Sequence, residues 1–295
     1  MDKRESIKNW LRGELASREV SLARLAGATS STLLKVDADG QPFVLRLFNE
    51  SNWPEGVDDL PGKEAQILQT LSASKIPAPK FIASAEAGSS IGAAVLMSWL
   101  PGKVVLPSAP SSKWLATLAR SLAAIHNITL PPLPWHYTSW QRMTGRAAPG
   151  WFGDDALWHT VQGAVTKRST PRFSEPERCF LHRDYHPVNV LWQGEVISGV
   201  VDWVNACMGP PGVDVAHCRL NLVLMYGLAA ADGFLDAYRD AVHGYEHHHY
   251  WDLDAALAWF PDPTSYPPWQ EFGLSPIDPA LLKQRIRDFL IAATG

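Results

Sequence analysis

Residues 181–192 read LHRDYHPVNVLW, and residues 200–203 read VVDW. The first segment contains a His-Arg-Asp triplet that ends at Asp184, then four residues, then Asn189. The second segment places Asp202 at the end of an apolar run, thirteen residues after Asn189. Two short apolar runs with a turn between them predict a β-hairpin. We therefore expect the hairpin to bring Asp202 back to within reach of Asn189.

The spacing of the triplet and Asn189 is that of a kinase catalytic loop. Phosphoryl transfer needs a carboxylate that orients the acceptor hydroxyl and accepts its proton, and it needs oxygen ligands for Mg²⁺. Asp184 suits the first role, and Asn189 and Asp202 suit the second. An isolated His-x-Asp would carry little information, because buried Asp and Asn often stabilise loops. Here the His-Arg-Asp triplet, Asn189, Asp202 and the apolar strand before Asp202 all fit the pattern of a kinase active site.

Upstream residues supply candidates for a nucleotide site. Arg46 lies in the β-rich run 43–47, where a guanidinium could pair with phosphates. Glu64 opens the predicted helix that follows and could hold this cation. The loop 27–32, which includes Thr29 and Ser30, could cover phosphates with backbone N–H groups. The alternative for Arg46 and Glu64 is a surface cation and a first-turn acid that the helix dipole stabilises.

Residues 95–102, VLMSWLPG, end a predicted strand at a Pro-Gly break. A purine base could pair there with exposed backbone, which would make Met97, Ser98 and Leu100 nucleotide-binding residues. The alternative is an ordinary edge strand followed by a linker.

The remaining patterns predict an α+β fold. Residues 1–100 combine a hairpin, whose turn is 37–40, with a helix over 63–72 and two further strands. Leucines at spacings of three and four predict a helix over 112–127, and the chain from residue 213 onward is mainly helical. The last helix is expected to have Asp278 as its N-cap and Pro279 at its first position, with Leu281, Leu282, Ile286, Phe289 and Leu290 facing inward. We therefore expect a small antiparallel-sheet lobe in 1–100 and a larger, mainly helical lobe in 101–295 that carries the catalytic loop and acceptor site.

Composition excludes several classes of function. The 295 residues carry 26 basic and 30 acidic side chains, a net charge of −4, which argues against a nucleic-acid or anionic-membrane partner. The three cysteines form no C-x-x-C pair, so neither a disulfide framework nor a zinc ribbon is expected. The longest apolar runs have about a dozen residues, short of the ~20 that span a bilayer. With no apolar leader at the N-terminus, we expect a cytoplasmic protein.

Together these motifs resemble the aminoglycoside phosphotransferase family of small-molecule kinases, from about Val20 to about Tyr238. The residues that carry the resemblance are LHRDYHPVNVLW and VVDW, the hinge-like VLMSWLPG, the middle helix LARSLAAIHNI and the later segment GPPGVDVAH. The resemblance implies a bilobal protein-kinase-like fold that binds ATP or GTP with Mg²⁺. It implies Asp184 as the catalytic base and Asn189 and Asp202 as Mg²⁺ ligands. His182 and Asp214 would brace the catalytic loop.

The chain departs from that family in two places. Arg46 occupies the strand position where the phosphate-binding residue is usually Lys. The loop expected to cover the phosphates contains a single glycine, Gly27. Both departures bear on how tightly a nucleotide would bind.

The acceptor is expected to be a small molecule, and one charge pattern suggests its class. Residues 232–278 carry nine acidic side chains and a single cation, Arg239. Acidic groups interleaved with aromatic rings would attract a cationic acceptor such as an aminoglycoside or an amino sugar. The residues singled out for this role are Trp251, Asp252, Asp254 and Glu271. The alternative is a solvated acidic face with aromatic side chains in the core, and a metabolic kinase for choline, homoserine or a neutral sugar stays open.

The sequence gives less support to other classes of function. The run His182-x-Asp184-x-His186 could hold a hydrolytic metal, but no second cluster at metal-ligand spacing accompanies it. The run 247–249 is three consecutive histidines, and we expect a polar helix end there. A protein kinase is disfavoured because no Ala-Pro-Glu signature or long activation segment follows Asp202. A catalytically inactive nucleotide-binding protein is disfavoured by the complete set Asp184, Asn189 and Asp202.

Overall fold

The computed structural model describes residues 2–25, 31–49, 53, 59–139, 143–167, 179–258 and 268–295. The chain divides into two compact units. The first comprises Met1–Gly102 and Ser198–Asn205, and the second comprises Lys103–Ile197 and Ala206–Gly295. Ser198–Asn205, which lies within the predicted lobe 101–295, belongs with the first unit. The Val200 N–H donates to the Pro77 carbonyl at 2.8 Å, and Asp202 accepts from Arg46, which ties this segment to the first unit.

The first unit is built on an antiparallel sheet. Its strands are β1 (Val20–Arg24), β2 (Ser31–Ala38), β3 (Gln41–Phe48), β4 (Phe81–Ala85) and β5 (Ala94–Ser98), in the order β1-β2-β3-β5-β4. The predicted hairpin is β2-β3. At its turn Asp39 and Gly40 both have positive φ, 50° and 83°, as a two-residue type I′ turn requires.

Two helices accompany this sheet. Helix α1 (Lys3–Leu15) contributes Ile7 and Leu11, one turn apart on one face, to the apolar core of the sheet. Helix α2 (Leu60–Leu71) begins three residues before the predicted start. The Asp59 side chain accepts from the Gly62 N–H at 2.8 Å, and Pro61 lies in the first turn, where its missing N–H costs nothing.

The second unit is mainly helical. Its helices are α3 (Ser112–His126), α4 (Asp155–Lys167), α5 (Gly212–Tyr226), α6 (Leu228–Ala241), α7 (Tyr250–Ala258) and α8 (Pro279–Thr294). Its strands are β6 (Lys103–Val104), β7 (Cys179–Leu181), β8 (Val190–Gln193) and β10 (Cys207–Gly209), and β9 (Val196–Val200) contains the boundary between units. Antiparallel pairing joins β7 to β10 and β6 to β8. The observed fold is α+β, as predicted.

The last helix tests the sequence patterns in detail. The Asp278 side chain accepts from the Ala280 N–H at 2.7 Å, which confirms the predicted N-cap. Ile286 and Phe289 are buried as predicted, but Leu281 is 46% exposed and that prediction is wrong. Leu281 precedes buried Leu282 by one residue, or about 100° around the helix, so both cannot face the core. No helix within the described ranges is long and apolar enough to cross a membrane.

Candidate active site

The loop that carries Asp184 is fixed through its backbone. It follows β7 and leads into a short 3-10 helix, Pro187–Asn189. Arg183 has φ 74°, in a region that a non-glycine residue occupies at a cost and that is enriched at functional sites. The Asp214 carboxylate, in the first turn of α5, accepts from the N–H of His182 at 2.7 Å and of Arg183 at 2.8 Å. These two bonds hold the strained backbone in place.

Asp214 is fully buried, and a second layer of contacts supports it. His126 Nε2 lies 3.2 Å from Asp214 Oδ2, and His126 Nδ1 lies 2.6 Å from the Tyr238 hydroxyl. Burial raises the pKa of Asp214, but the hydrogen bond and charge of His126 outweigh it, so the pKa lies below its ordinary value. The carboxylate is therefore ionised when it braces the loop. His182 is also fully buried, and its Nδ1 accepts from the Asp184 N–H at 3.2 Å.

Asp184 is held from two directions and stays partly accessible. Its side chain is 29% exposed. Asn189 Nδ2 donates to the Asp184 carbonyl at 2.9 Å and to Oδ2 at 3.2 Å. On the other side, Oδ1 lies 3.0 Å from His217 Nε2 and 3.7 Å from His186 Nε2. Burial raises the pKa of Asp184, but His217 and the neighbouring imidazoles outweigh it and leave the pKa well below its ordinary range.

His217 is the contact of Asp184 that the sequence reasoning missed. It lies on α5, three residues after Asp214, so the two side chains share one face of the helix. The signal was present in the quoted segment GPPGVDVAH, whose last residue is His217. Once Asp214 is placed against the catalytic loop, that helical spacing carries His217 to the same loop.

In the first unit, Arg46 lies between two carboxylates. Its Nη1 is 2.8 Å from Asp202 Oδ1 and 3.3 Å from Glu64 Oε1. Arg46 and Glu64 are buried, whereas the Asp202 side chain is 34% exposed. Burial raises the pKa of Glu64 to about 7, although the positive charge of Arg46 opposes this. Asp202 has φ 68° and is, after Arg183, the second residue of the candidate site in the left-handed region.

The other residues predicted to bind nucleotide lie at the end of β5 or outside the described residues. Met97 is buried and Leu100 is half-buried just beyond the strand. The Ser98 N–H donates to the Lys80 carbonyl at 2.9 Å, and the Ser98 hydroxyl accepts from the Lys80 N–H at 2.9 Å. The Ser98 N–H is thus already engaged within the unit. Thr29 and Ser30 lie outside the described residues.

The structure places three of the four predicted acceptor residues in the interior. Trp251, Asp252 and Asp254 are 2%, 1% and 4% exposed, whereas Glu271 is exposed. Asp252 Oδ1 lies 3.1 Å from Arg219 Nε and 3.0 Å from His247 Nε2. Asp254 accepts hydrogen bonds from the hydroxyls of Tyr137 and Ser139. These acids fold inward because buried cationic and hydroxyl groups satisfy them, so they do not form an open acidic face.

Comparison with known proteins finds the family that the sequence motifs resemble. The model of the phosphotransferase enzyme family matches residues 21–253, and the chain belongs to that family. The match spans the Arg46 strand, the Asp184 loop and Asp202. A homoserine kinase of Methylobacillus flagellatus is 25% identical over 254 residues, which are 79% of this chain and 75% of the kinase.

Solved structures confirm the fold. A thermostable mutant of the aminoglycoside phosphotransferase APH(4)-Ia, in complex with ADP and hygromycin B, matches with a TM-score of 0.64 and 16% identity. That match covers 98% of this chain and 99% of the other. An aminoglycoside-3'-phosphotransferase of type VIII matches with a TM-score of 0.63 and 15% identity, over 87% of this chain and 98% of the other. The prediction of a protein-kinase-like fold is therefore confirmed.

Proposed function

We propose that this protein transfers the γ-phosphoryl group of ATP or GTP to a hydroxyl of a small molecule. The observation that carries the proposal is the Asp184 carboxylate. It is partly exposed, it lies on a strained loop, and Asn189 and Asp214 fix its side chain and the backbone before it. This is the arrangement that phosphoryl transfer asks of a base, in a chain that belongs to a phosphotransferase family.

Asp184 would orient the acceptor hydroxyl and accept its proton. Its lowered pKa keeps the carboxylate ionised at neutral pH, so it is ready to accept a hydrogen bond from the hydroxyl. His217 and Asn189 limit the rotation of the carboxylate by holding one oxygen each. The role of these two side chains is to position the base.

Arg46 would bind the phosphates of the nucleotide. Its guanidinium offers several donors in a fixed plane, which suits phosphate oxygens, and burial of the side chain strengthens the attraction. Glu64 would hold the guanidinium from the side of α2. Backbone near Met97 and at Leu100 would receive the purine, and Ser98 would contribute a backbone group other than its engaged N–H. Thr29 and Ser30 would lie over the phosphates.

Asn189 and Asp202 would hold Mg²⁺. An amide oxygen and a carboxylate are hard oxygen donors of the kind this ion prefers, and the exposed fraction of the Asp202 side chain leaves its carboxylate accessible. When bound, the ion neutralises charge on the phosphates. Arg46 lies 2.8 Å from Asp202 and balances part of the charge of this carboxylate.

The acceptor we favour is a hydroxyl compound that carries an ammonium group. Two observations support this class: the acidic excess of residues 232–278 and the similarity to a homoserine kinase, since homoserine is an amino alcohol. Aminoglycosides and amino sugars belong to the same class. Of the acids predicted for this role, Glu271 is the one that is exposed.

The test is an assay of ADP and GDP formation with Mg²⁺ against homoserine, choline, aminoglycosides, amino sugars and neutral sugars. Turnover with one acceptor, lost in Asp184→Asn, supports the proposal and names the substrate. Nucleotide binding without turnover on any acceptor would favour an inactive nucleotide-binding protein. Absence of Mg²⁺-dependent nucleotide binding would contradict the proposal.

A further inference from the structure

The Asp184 carboxylate and two imidazoles form a cluster of possible metal ligands that phosphoryl transfer does not require. Asp184, His186 and His217 each offer one metal-ligating atom, and these atoms all lie within 4.8 Å of one another. The cluster differs from the run of alternating residues that the sequence offered. The buried ring of His182 instead accepts from the Asp184 N–H, and His217 of α5 takes its place.

The spacing fits a single small ion. A tetrahedral site with ligands at about 2.0–2.1 Å has its ligand atoms about 3.3–3.4 Å apart. The distances from Asp184 Oδ1 to His217 Nε2 and His186 Nε2 are 3.0 and 3.7 Å, on either side of that value. The nitrogens of His186 and His217 lie within 4.8 Å of each other, so this pair has to move closer together before one ion can bind both.

The surroundings of the two imidazoles favour a cation between them and the carboxylate. Asn189 Nδ2 lies 3.2 Å from His186 Nε2, and Asn221 Nδ2 lies 3.3 Å from His217 Nε2. Each imidazole nitrogen that faces Asp184 carries either one lone pair or one N–H, depending on the tautomer. Either a proton or a metal ion can bridge His217 Nε2 and the Asp184 oxygen at 3.0 Å, and a metal ion takes the place of the proton when the imidazole is neutral.

We propose that Asp184, His186 and His217 form a three-ligand site for a transition-metal dication such as Zn²⁺. Two imidazoles and one carboxylate suit Zn²⁺ and its neighbours in the first transition row, whereas Mg²⁺ prefers oxygen ligands. All three residues are partly accessible, so an ion can enter and a water can complete the coordination. Because the ion takes the Asp184 oxygen, it inhibits phosphoryl transfer in competition with the acceptor. This consequence, unlike the site itself, rests on the proposed function.

The experiment is equilibrium binding of Zn²⁺ to the full chain with excess Mg²⁺ present, together with the visible spectrum of the Co²⁺ form. We expect one Zn²⁺ per chain and a tetrahedral Co²⁺ spectrum. His217→Ala and His186→Ala should each weaken Zn²⁺ binding by more than about 100-fold, since even an outer-shell partner of a metal is worth 10–100-fold. Circular dichroism of each variant checks its folding. If one of the two variants does not fold, the other is enough to test the site.

The matched control is His248→Ala, an exposed histidine in the run 247–249. It should leave Zn²⁺ affinity unchanged. Loss of Zn²⁺ binding in His248→Ala, or its retention in His217→Ala, would overturn the site. Failure of the site and failure of the kinase proposal are distinguishable. Turnover is therefore measured on the Zn²⁺-free protein with Mg²⁺. Turnover of that protein without Zn²⁺ binding removes only the site, and Zn²⁺ binding by a protein that shows no turnover when Zn²⁺-free removes only the kinase function.

Discussion

Asp184 and Asp252 are both carboxylates of the second unit, and they differ in exposure and in partner. The Asp184 side chain is 29% exposed and contacts imidazoles and an amide, groups that hold it without cancelling its charge permanently. Asp252 is 1% exposed and pairs with buried Arg219, a cation that cannot lose its proton. The partner of each carboxylate therefore shows whether it is available for chemistry or stabilises the fold. The number of acidic residues nearby in the sequence does not distinguish these two roles.

The largest effect expected is on turnover in Asp184→Asn. The amide keeps the shape of the side chain but cannot accept the acceptor's proton, so kcat should fall by about 10²–10⁴-fold. Steady-state kinetics with the acceptor found in the panel measure this, and nucleotide affinity should stay close to that of the unchanged protein. A kcat within about threefold of the original would show that Asp184 is not the base.

Asp252→Ala should have its main effect on stability. Removing it leaves Asp232, also at 3.1 Å but 53% exposed, as the remaining carboxylate of buried Arg219, which should lower the free energy of unfolding by up to about 3–5 kcal/mol. Urea unfolding measures the loss. The matched control is Asp236→Ala, which removes an exposed acid paired with Arg239 and should change stability little. Equal losses in the two variants would contradict the structural role of Asp252.

Glu64 extends the comparison to a buried carboxylate whose pKa is raised. Its pKa rises from 4.5 to about 7 in the folded chain, so between these values the folded state binds more protons than the unfolded state. Stability should therefore fall as the pH rises from 4.5 to 7. The loss attributable to Glu64 is on the order of 3 kcal/mol, since one pKa unit corresponds to about 1.4 kcal/mol.

Glu64→Gln is the variant that isolates this effect. Urea unfolding of both proteins at several pH values should give a difference in stability that changes across this window, in favour of the variant at the higher pH. A difference that is independent of pH would mean that Glu64 stays ionised throughout and pairs fully with Arg46.

The smallest effect expected is that of Glu271→Gln. Because Glu271 is exposed, its neutralisation should change the free energy of unfolding by less than about 0.5 kcal/mol. If the acidic segment receives an ammonium-bearing acceptor, KM for that acceptor should rise a few-fold with kcat unchanged. An unchanged KM would remove the last accessible acid among the predicted acceptor residues.

Much of the fold follows from local signals in the sequence. The turn at Asp39 and Gly40, the leucine spacing of α3 and the Asp278 cap of α8 are short-range features, and the structure has all three. Helix α1 was not predicted, because its charged sequence buries only Ile7 and Leu11. The association of Ser198–Asn205 with the first unit depends on contacts far apart along the chain, such as that of Arg46 with Asp202.

The candidate site also contains residues that a local sequence pattern predicts and a contact that no local pattern predicts. The spacing within one loop was enough to single out Asp184 and Asn189. The contact of His217 with Asp184 needs the position of α5 against the loop, which no local pattern specifies. The acidic excess of residues 232–278 predicts that Asp252 and Asp254 help to bind a cationic acceptor, because composition does not distinguish an accessible acid from one that Arg219 holds in the core.

The most direct test of the account measures kcat and the urea midpoint of unfolding side by side for Asp184→Asn and Asp252→Asn. We expect the two variants to differ in both quantities. Asp184→Asn should lose turnover, and Asp252→Asn should have the lower midpoint of the two and keep most of its kcat under conditions where it is folded. If Asp184→Asn instead keeps its turnover, Asp184 does not perform the chemistry and the central claim is contradicted.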